Sequence, residues 1–324
     1  MAPASNMARG DPSATQPPLA HRERLIVVDD FLPPDLARRM RADIDRHFAA
    51  PERHAPETHQ VWNYWYVPGL YTYLRAQPDK VIGRPLVDEF FNQLQAWSIE
   101  TLGLGRVTWP NLGLYVSGCR QNVHNDAENG RFGYAYSLTR NERRSTGGET
   151  IVFKEGDAFR DLRDQAAAGH SFFDSVEPRF NRLVVFDDRM PHAVERVEGS
   201  MDPCEGRFVL HGHISETEPI AGGALSRDAL VAPVDAGLRA FAERSALGGL
   251  HGPLSLRLDI APNGAVGACR VLLDRVISAD ASDARWSALL GALVREMQSV
   301  SFPAADAPSF IILPMRFGAK PANI

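Results

Sequence analysis

Three residues in this chain have the types and spacing for redox chemistry at a metal: His124, Asp126 and, far downstream, His192. An imidazole and a carboxylate one residue apart on a strand project to the same face and can grip one metal from adjacent corners. The pair alone is a weak signal. With 10 His and 40 Asp plus Glu in 324 residues, chance supplies about one such spacing. His21-Arg22-Glu23 is read as that decoy, since it borders a tail poor in large apolar residues. A second imidazole must come from a distant strand. Met190-Pro191-His192-Ala193-Val194 supplies it just after the apolar run Leu183-Val184-Val185-Phe186. Two histidines and one carboxylate on one face leave open positions on an octahedral metal, the set that suits oxygen-activating Fe(II). An α-keto acid and dioxygen can fill those positions. The far carboxylate of such a co-substrate needs a cation. Arg207, at the start of the next strand-like run, offers a planar guanidinium that stays charged when buried.

These residues stand in a longer pattern: Tyr115-x-x-Gly118, His124-x-Asp126, Gly147-Gly148-Glu149-Thr150, Pro191-His192-x-Val194, Arg207. In order and spacing it resembles the prolyl-4-hydroxylase-like branch of the 2-oxoglutarate/Fe(II) oxygenases, over about residues 25–216. The resemblance implies a double-stranded β-helix core of jelly-roll or cupin type. It further implies Fe(II) at His124, Asp126 and His192, with 2-oxoglutarate and O2 as co-substrates and ascorbate as a supporting reductant. Arg207 then anchors the distal carboxylate of 2-oxoglutarate, and Tyr115 matches the family tyrosine that hydrogen-bonds it. Tyr134 and Tyr136 either contact the co-substrate or pack. The implied activity is hydroxylation of a C–H bond, in a peptide or protein residue such as prolyl, releasing succinate and CO2. Hydroxylation of a free amino acid or natural product stays open, as does a cupin-like binding or scaffolding protein without turnover. Related halogenases lack the carboxylate that Asp126 provides, so halogenation is not expected. His211-Gly212-His213 is expected to pack or line the substrate side, and Asp187-Asp188 to form a turn supporting the metal ligands.

The elements that must hold these residues follow from periodicity. Pro33-Pro34-Asp35 opens a helix with Leu36, Met40, Ile44 and Phe48 on one face; Pro85 opens another with Leu86, Phe90, Leu94 and Trp97, closed by Gly103. Short strand-like runs follow at 112–116, 134–138, 150–153, 182–186, 193–197 and 207–214. Many short strands after two helices predict an α+β domain over 21–216, an antiparallel double-sheet barrel flanked by those helices. The aromatic-rich segment 62–73 is either a loop packed on the core or a mobile lid or substrate wall. Residues 217–250, rich in Ala and Gly, read as a linker ending in a short helix. Beyond it, Leu254, Leu256, Leu258 and Ile260 alternate as in a strand, and Pro262-Asn263-Gly264 signals a hairpin. A helix bearing Trp286, Leu289, Leu290, Leu293, Val294 and Met297, then a strand over 310–315, completes a small ββαβ domain over 251–318. Its turns, the Phe302-Pro303 pair and the closing strand resemble the C-terminal domain of TonB-like energy transducers. That resemblance implies binding of a peptide or partner protein by strand addition; a structural appendage or a dimerisation element stays open beside it.

Composition bounds the rest. A net charge of -5 offers no basic excess for nucleic acid. No apolar stretch approaches the ~18 residues of a membrane span, and residues 1–20 read as a disordered tail without a signal peptide's apolar core. Cys119, Cys204 and Cys269, with no CxxC spacing, read as reduced thiols. The expectation is a cytoplasmic protein that binds neither nucleic acid nor membrane.

Overall fold

The computed structural model describes residues 22–50, 52, 55, 60–154, 172–278 and 283–318. The expected tail over 1–20 and the decoy His21 lie outside the described residues. The described residues divide into two compact units, one within 23–217 and one within 218–318.

In the first unit, strand β1 (Leu25–Val28) leads into helix α1 (Pro34–Phe48). Pro34 at its first position costs no intrahelical hydrogen bond. Leu36, Met40 and Ile44, four apart, are all buried. Helix α2 (Arg84–Leu102) buries Phe90 and Leu94 and ends on Gly103, whose N–H donates to the Ile99 carbonyl and whose φ of 68° lets the next N–H, of Leu104, reach the Ser98 carbonyl. Phe90 stands 5.0 Å from the Tyr136 ring and 6.4 Å from the Tyr134 ring, so α2 backs the outside of the sheet.

The remaining strands are β2 (Asn63–Val67), β3 (Tyr71–Ala76), β4 (Arg106–Val107), β5 (Asn111–Tyr115), β6 (Arg120–His124), β7 (Phe132–Ser137), β8 (Thr150–Phe153), β9 (Phe173–Val176), β10 (Leu183–Asp187), β11 (His192–Val194) and β12 (Arg207–Ser215). They form one curled antiparallel sheet in the order β1-β10-β7-β12-β5-β3-β6-β11-β8-β9, with β2 beside β3 and β4 beside β12. Strand β3 turns the corner, pairing with β5 through Leu74–Ala76 and with β6 through Tyr71 and Thr72. The two halves face each other, as in a jelly roll: Val152 and Val176 of one pack with Val184 and Phe186 of the other. The segment 62–73 is therefore mostly the β2–β3 hairpin, part of the sheet and not a loop on it.

The second unit has its own core. Its sheet runs β13 (Ile220–Gly223), β17 (Ser309–Phe317), β14 (Leu250–Ile260), β15 (Val266–Asp274), with β16 (Ile277–Ser278) beside β14. Helices α3 (Arg227–Arg244) and α4 (Asp283–Ser299) bury Leu230, Val234, Phe241, Trp286, Leu293 and Met297 against Leu254, Leu256, Leu258 and Ile260. The expected β14-β15-α4-β17 series is present. The linker expected over 217–250 is not: it holds β13 and the 18-residue α3. Ala and Gly dominate there, but Leu230, Val234 and Phe241 recur at helical spacing, and the Ser226 hydroxyl caps α3 by accepting from the Ala229 N–H.

Candidate metal centre and its cavity

His124 closes β6 and His192 opens β11, and the two are direct cross-strand partners. Their ring centroids lie 4.4 Å apart. Asp126 lies two residues past the end of β6 and not on the strand as expected; its backbone N–H donates to the Asp188 carbonyl, and its own carbonyl accepts from the Asn129 N–H. This turn still brings the carboxylate to the same side. Asp126 Oδ2 stands 3.5 Å from His192 Nε2, and one ligating atom from each of the three residues lies within 4.8 Å of the others.

Each imidazole is held by its other nitrogen. Nδ1–H of His124 donates to the Asn122 carbonyl at 2.7 Å, and Nδ1–H of His192 to the Met190 carbonyl at 3.0 Å. That leaves each Nε2 with a lone pair for a metal, the usual outer support of a ligating histidine. Burial pushes the His124 pKa down, which favours the neutral, ligating form. Burial also works to raise the Asp126 carboxyl, but His192 outweighs it by hydrogen bonding and charge, and the net shift is downward. Asn129 Nδ2 donates to Asp126 Oδ1 at 3.0 Å and orients it. Two imidazole nitrogens and a carboxylate fit a divalent first-row cation.

The triad lines a cavity of about 530 Å³, shared with Tyr115, Thr150, Arg207 and His211 among others. Arg207 begins β12 opposite Tyr115 in register, and its guanidinium carbon stands 4.8 Å from the Tyr115 ring centroid. Its Nη2 donates to Thr150 Oγ1 at 3.2 Å, while its Nε is buried without a partner. A buried cation short of an acceptor is costly unless an anion completes it; here the cavity offers room for one. Burial lowers the Arg207 pKa and raises that of the Tyr115 phenol. The Gly147-Gly148 pair makes this possible. At Gly148, with φ +81°, a Cβ would meet Arg207 Cδ at 3.0 Å.

Of the two alternatives for the tyrosines of β7, the contacts favour packing over co-substrate binding. Tyr134 borders the cavity, but its hydroxyl donates to the Thr108 carbonyl at 2.9 Å. Tyr136 is outside the cavity lining; its hydroxyl donates to Asn181 Oδ1 at 2.8 Å, and its ring packs between Phe31 and Phe90. Both project toward the helices because the small residues of β7, Gly133, Ala135 and Ser137, face the barrel interior.

His213 Nδ1–H donates to Asp188 Oδ2 at 3.0 Å, and Asp188 is fully buried. Burial alone would lower the His213 pKa, but the Asp188 bond reverses that and the net shift is upward. His211 lacks such a partner: its Nε2 is buried and unpaired, and burial, then Arg75, depresses its pKa to about 3. The remaining wall draws on segment 62–73, in keeping with its substrate-wall reading, and on Arg75 and Trp109, which the sequence reading did not single out. Trp65, Tyr71, Tyr73, Arg75 and Trp109 all line the cavity. The alternation Tyr71-x-Tyr73-x-Arg75 was the available signal, one strand face. Tyr73 stacks flat on Tyr115, centroids 4.8 Å apart.

No family model matches the sequence, and no curated protein matches it. Among solved structures, a Pseudomonas putida prolyl-4-hydroxylase is similar at 20% identity over 60% of this chain and 92% of that chain, with TM-score 0.42. A Trichoplax adhaerens prolyl hydroxylase in complex with a hypoxia inducible factor peptide is similar at 13% identity, over 58% and 81%, also at 0.42. The non-heme alpha ketoglutarate dependent epimerase SnoN from nogalamycin biosynthesis is similar at 14%, over 59% and 78%, at 0.40. At these values nothing about chemistry passes from them to this chain, and the functional reading rests on the site's own residues.

Proposed function

We propose that this protein is an Fe(II)- and 2-oxoglutarate-dependent oxygenase that hydroxylates a C–H bond, with a peptide or protein residue as its substrate class. One observation carries the reading: a His-Asp-His cluster with ligand atoms within 4.8 Å of one another shares a cavity with Arg207, a buried guanidinium whose Nε has no partner. Bound iron, with 2-oxoglutarate and dioxygen, supplies the oxidising power for insertion of one oxygen atom, and succinate and CO2 are released.

The chain's own residues do the rest. His124 and His192 present Nε2, with each ring fixed by its Nδ1–H bond to a backbone carbonyl. Asp126 adds a charge and is oriented by Asn129. Arg207 takes the distal carboxylate of 2-oxoglutarate in charge-assisted hydrogen bonds, with Tyr115 beneath its guanidinium and Thr150 fixing its tilt. Trp65, Tyr71 and Trp109 give the same cavity an aromatic wall against which a substrate can pack.

Calorimetric titration tests this directly. Protein loaded with Mn(II) should bind 2-oxoglutarate, and metal-free protein should bind it far more weakly. The absence of metal-dependent 2-oxoglutarate binding would overturn the reading.

A further inference from the structure

Given the oxygenase reading, on which this inference rests, we propose that Arg75 seats a carboxylate carried by the substrate itself. Tyr71, Tyr73 and Arg75 alternate along β3 and face the cavity, with Trp65 opposite Tyr73 in register on β2. The Arg75 guanidinium lies over the Trp65 ring, 4.4 Å from its centroid. A ring face orients a cation without cancelling its charge. Among the described residues no carboxylate forms an ion pair with Arg75.

The cavity's charge count points the same way. Asp126 is the one acidic residue lining it, against two guanidiniums, Arg75 and Arg207. With Asp188 set aside because it is paired with His213, a divalent metal with Asp126 and both arginines leaves three positive charges. A dianionic 2-oxoglutarate cancels two, and the one remaining sits at Arg75. A positive charge in a partly enclosed site attracts an anion most where no protein group neutralises it. His211, with its unpaired Nε2, lines the same cavity and offers a second polar group to such a ligand. Trp65, Tyr71 and Trp109 provide the apolar surface for the rest of that ligand. The substrate is therefore an acid with an apolar or aromatic body, either a free carboxylic acid or an acidic side chain of a peptide.

The test uses the full-length protein loaded with Zn(II) and saturated with N-oxalylglycine, which occupies the co-substrate position without turnover. Calorimetry then compares 3-phenylpropionate with 3-phenylpropionamide, and a capped peptide carrying one glutamate with its glutamine twin. At least one acid should bind roughly tenfold or more tightly than its neutral counterpart, the size of a charged hydrogen bond. Arg75→Gln should erase that preference, and Arg75→Lys should keep part of it, while both melt as the wild type does. Preference for phenylpropionate assigns a free acid, and preference for the peptide a side chain; either supports the proposal. Equal binding of acid and amide in both pairs, no binding, or a preference that survives Arg75→Gln overturns it. N-oxalylglycine binding is measured first. If Arg75→Gln abolishes it, Arg75 belongs to the co-substrate and the proposal falls. If the wild type does not bind it, the oxygenase reading fails separately, and Arg75 is judged by the same acid-against-amide comparison on the metal-loaded protein.

Discussion

Arg207 offers its guanidinium to the cavity with Nη2 on Thr150 and Nε unpaired. Arg207→Lys keeps the charge but loses the two-pronged geometry, and should weaken 2-oxoglutarate by about 1–3 kcal/mol, roughly five- to 150-fold. Separate titrations should find metal affinity unchanged; an unaltered 2-oxoglutarate affinity would remove Arg207 as the anchor. His211 makes a second case at this scale. Its folded pKa, about 3, lies below the ordinary imidazole value of about 6.5. Between those values the unfolded chain binds the extra proton, so stability is fully present above about pH 6.5 and is lost as pH falls toward 3. Denaturant melts at neutral and acid pH should show a smaller loss in His211→Gln than in the wild type. An identical acid loss would mean that His211 is not the group being protonated. The triad itself was legible from sequence because its spacing is local on each strand. Arg75 was not, because its position depends on β3 pairing with both β5 and β6.

Elements were legible wherever one face carried the pattern. Helices α1 and α2 matched because Leu36, Met40 and Ile44, and Phe90 and Leu94, mark one buried stripe each. Helix α3 was hidden by alanine and glycine around its three buried residues. Tyr136 could not be assigned between ligand contact and packing from its type alone; the strand's alternation turns it to the helices and leaves Ala135 inside. The glycine pair before β8 yields a prediction of its own. Gly148→Ala places a side chain at φ +81° and 3.0 Å from Arg207 Cδ. We expect a stability loss of about 1–2 kcal/mol from the left-handed backbone, with 2-oxoglutarate affinity reduced more than metal affinity. Thermal melts and titrations together decide it. A stable variant with normal affinity would show that the turn does not position Arg207.

For the molecule as a whole, the boundary between units at Glu218 dictates where a truncation should be cut. A chain ending at 217 leaves the jelly-roll unit entire, whereas one ending at 250 keeps β13 and α3 but removes β17 and β14, on which they depend. The shorter chain should therefore be the more soluble and unfold in a single sharper transition, as read by differential scanning calorimetry. Aggregation of the 217 form alone would misplace the boundary. The direct pairing of His124 with His192 across β6 and β11 has a further consequence. A slip of one residue in that ladder would turn one imidazole to the opposite face, so a single divalent ion can be gripped only by chains that have zipped correctly over a separation of 68 positions. The ion then acts as a proofreader of assembly. Refolding with Mn(II) present should give a higher yield than refolding with chelator, and Asp126→Ala should abolish the difference.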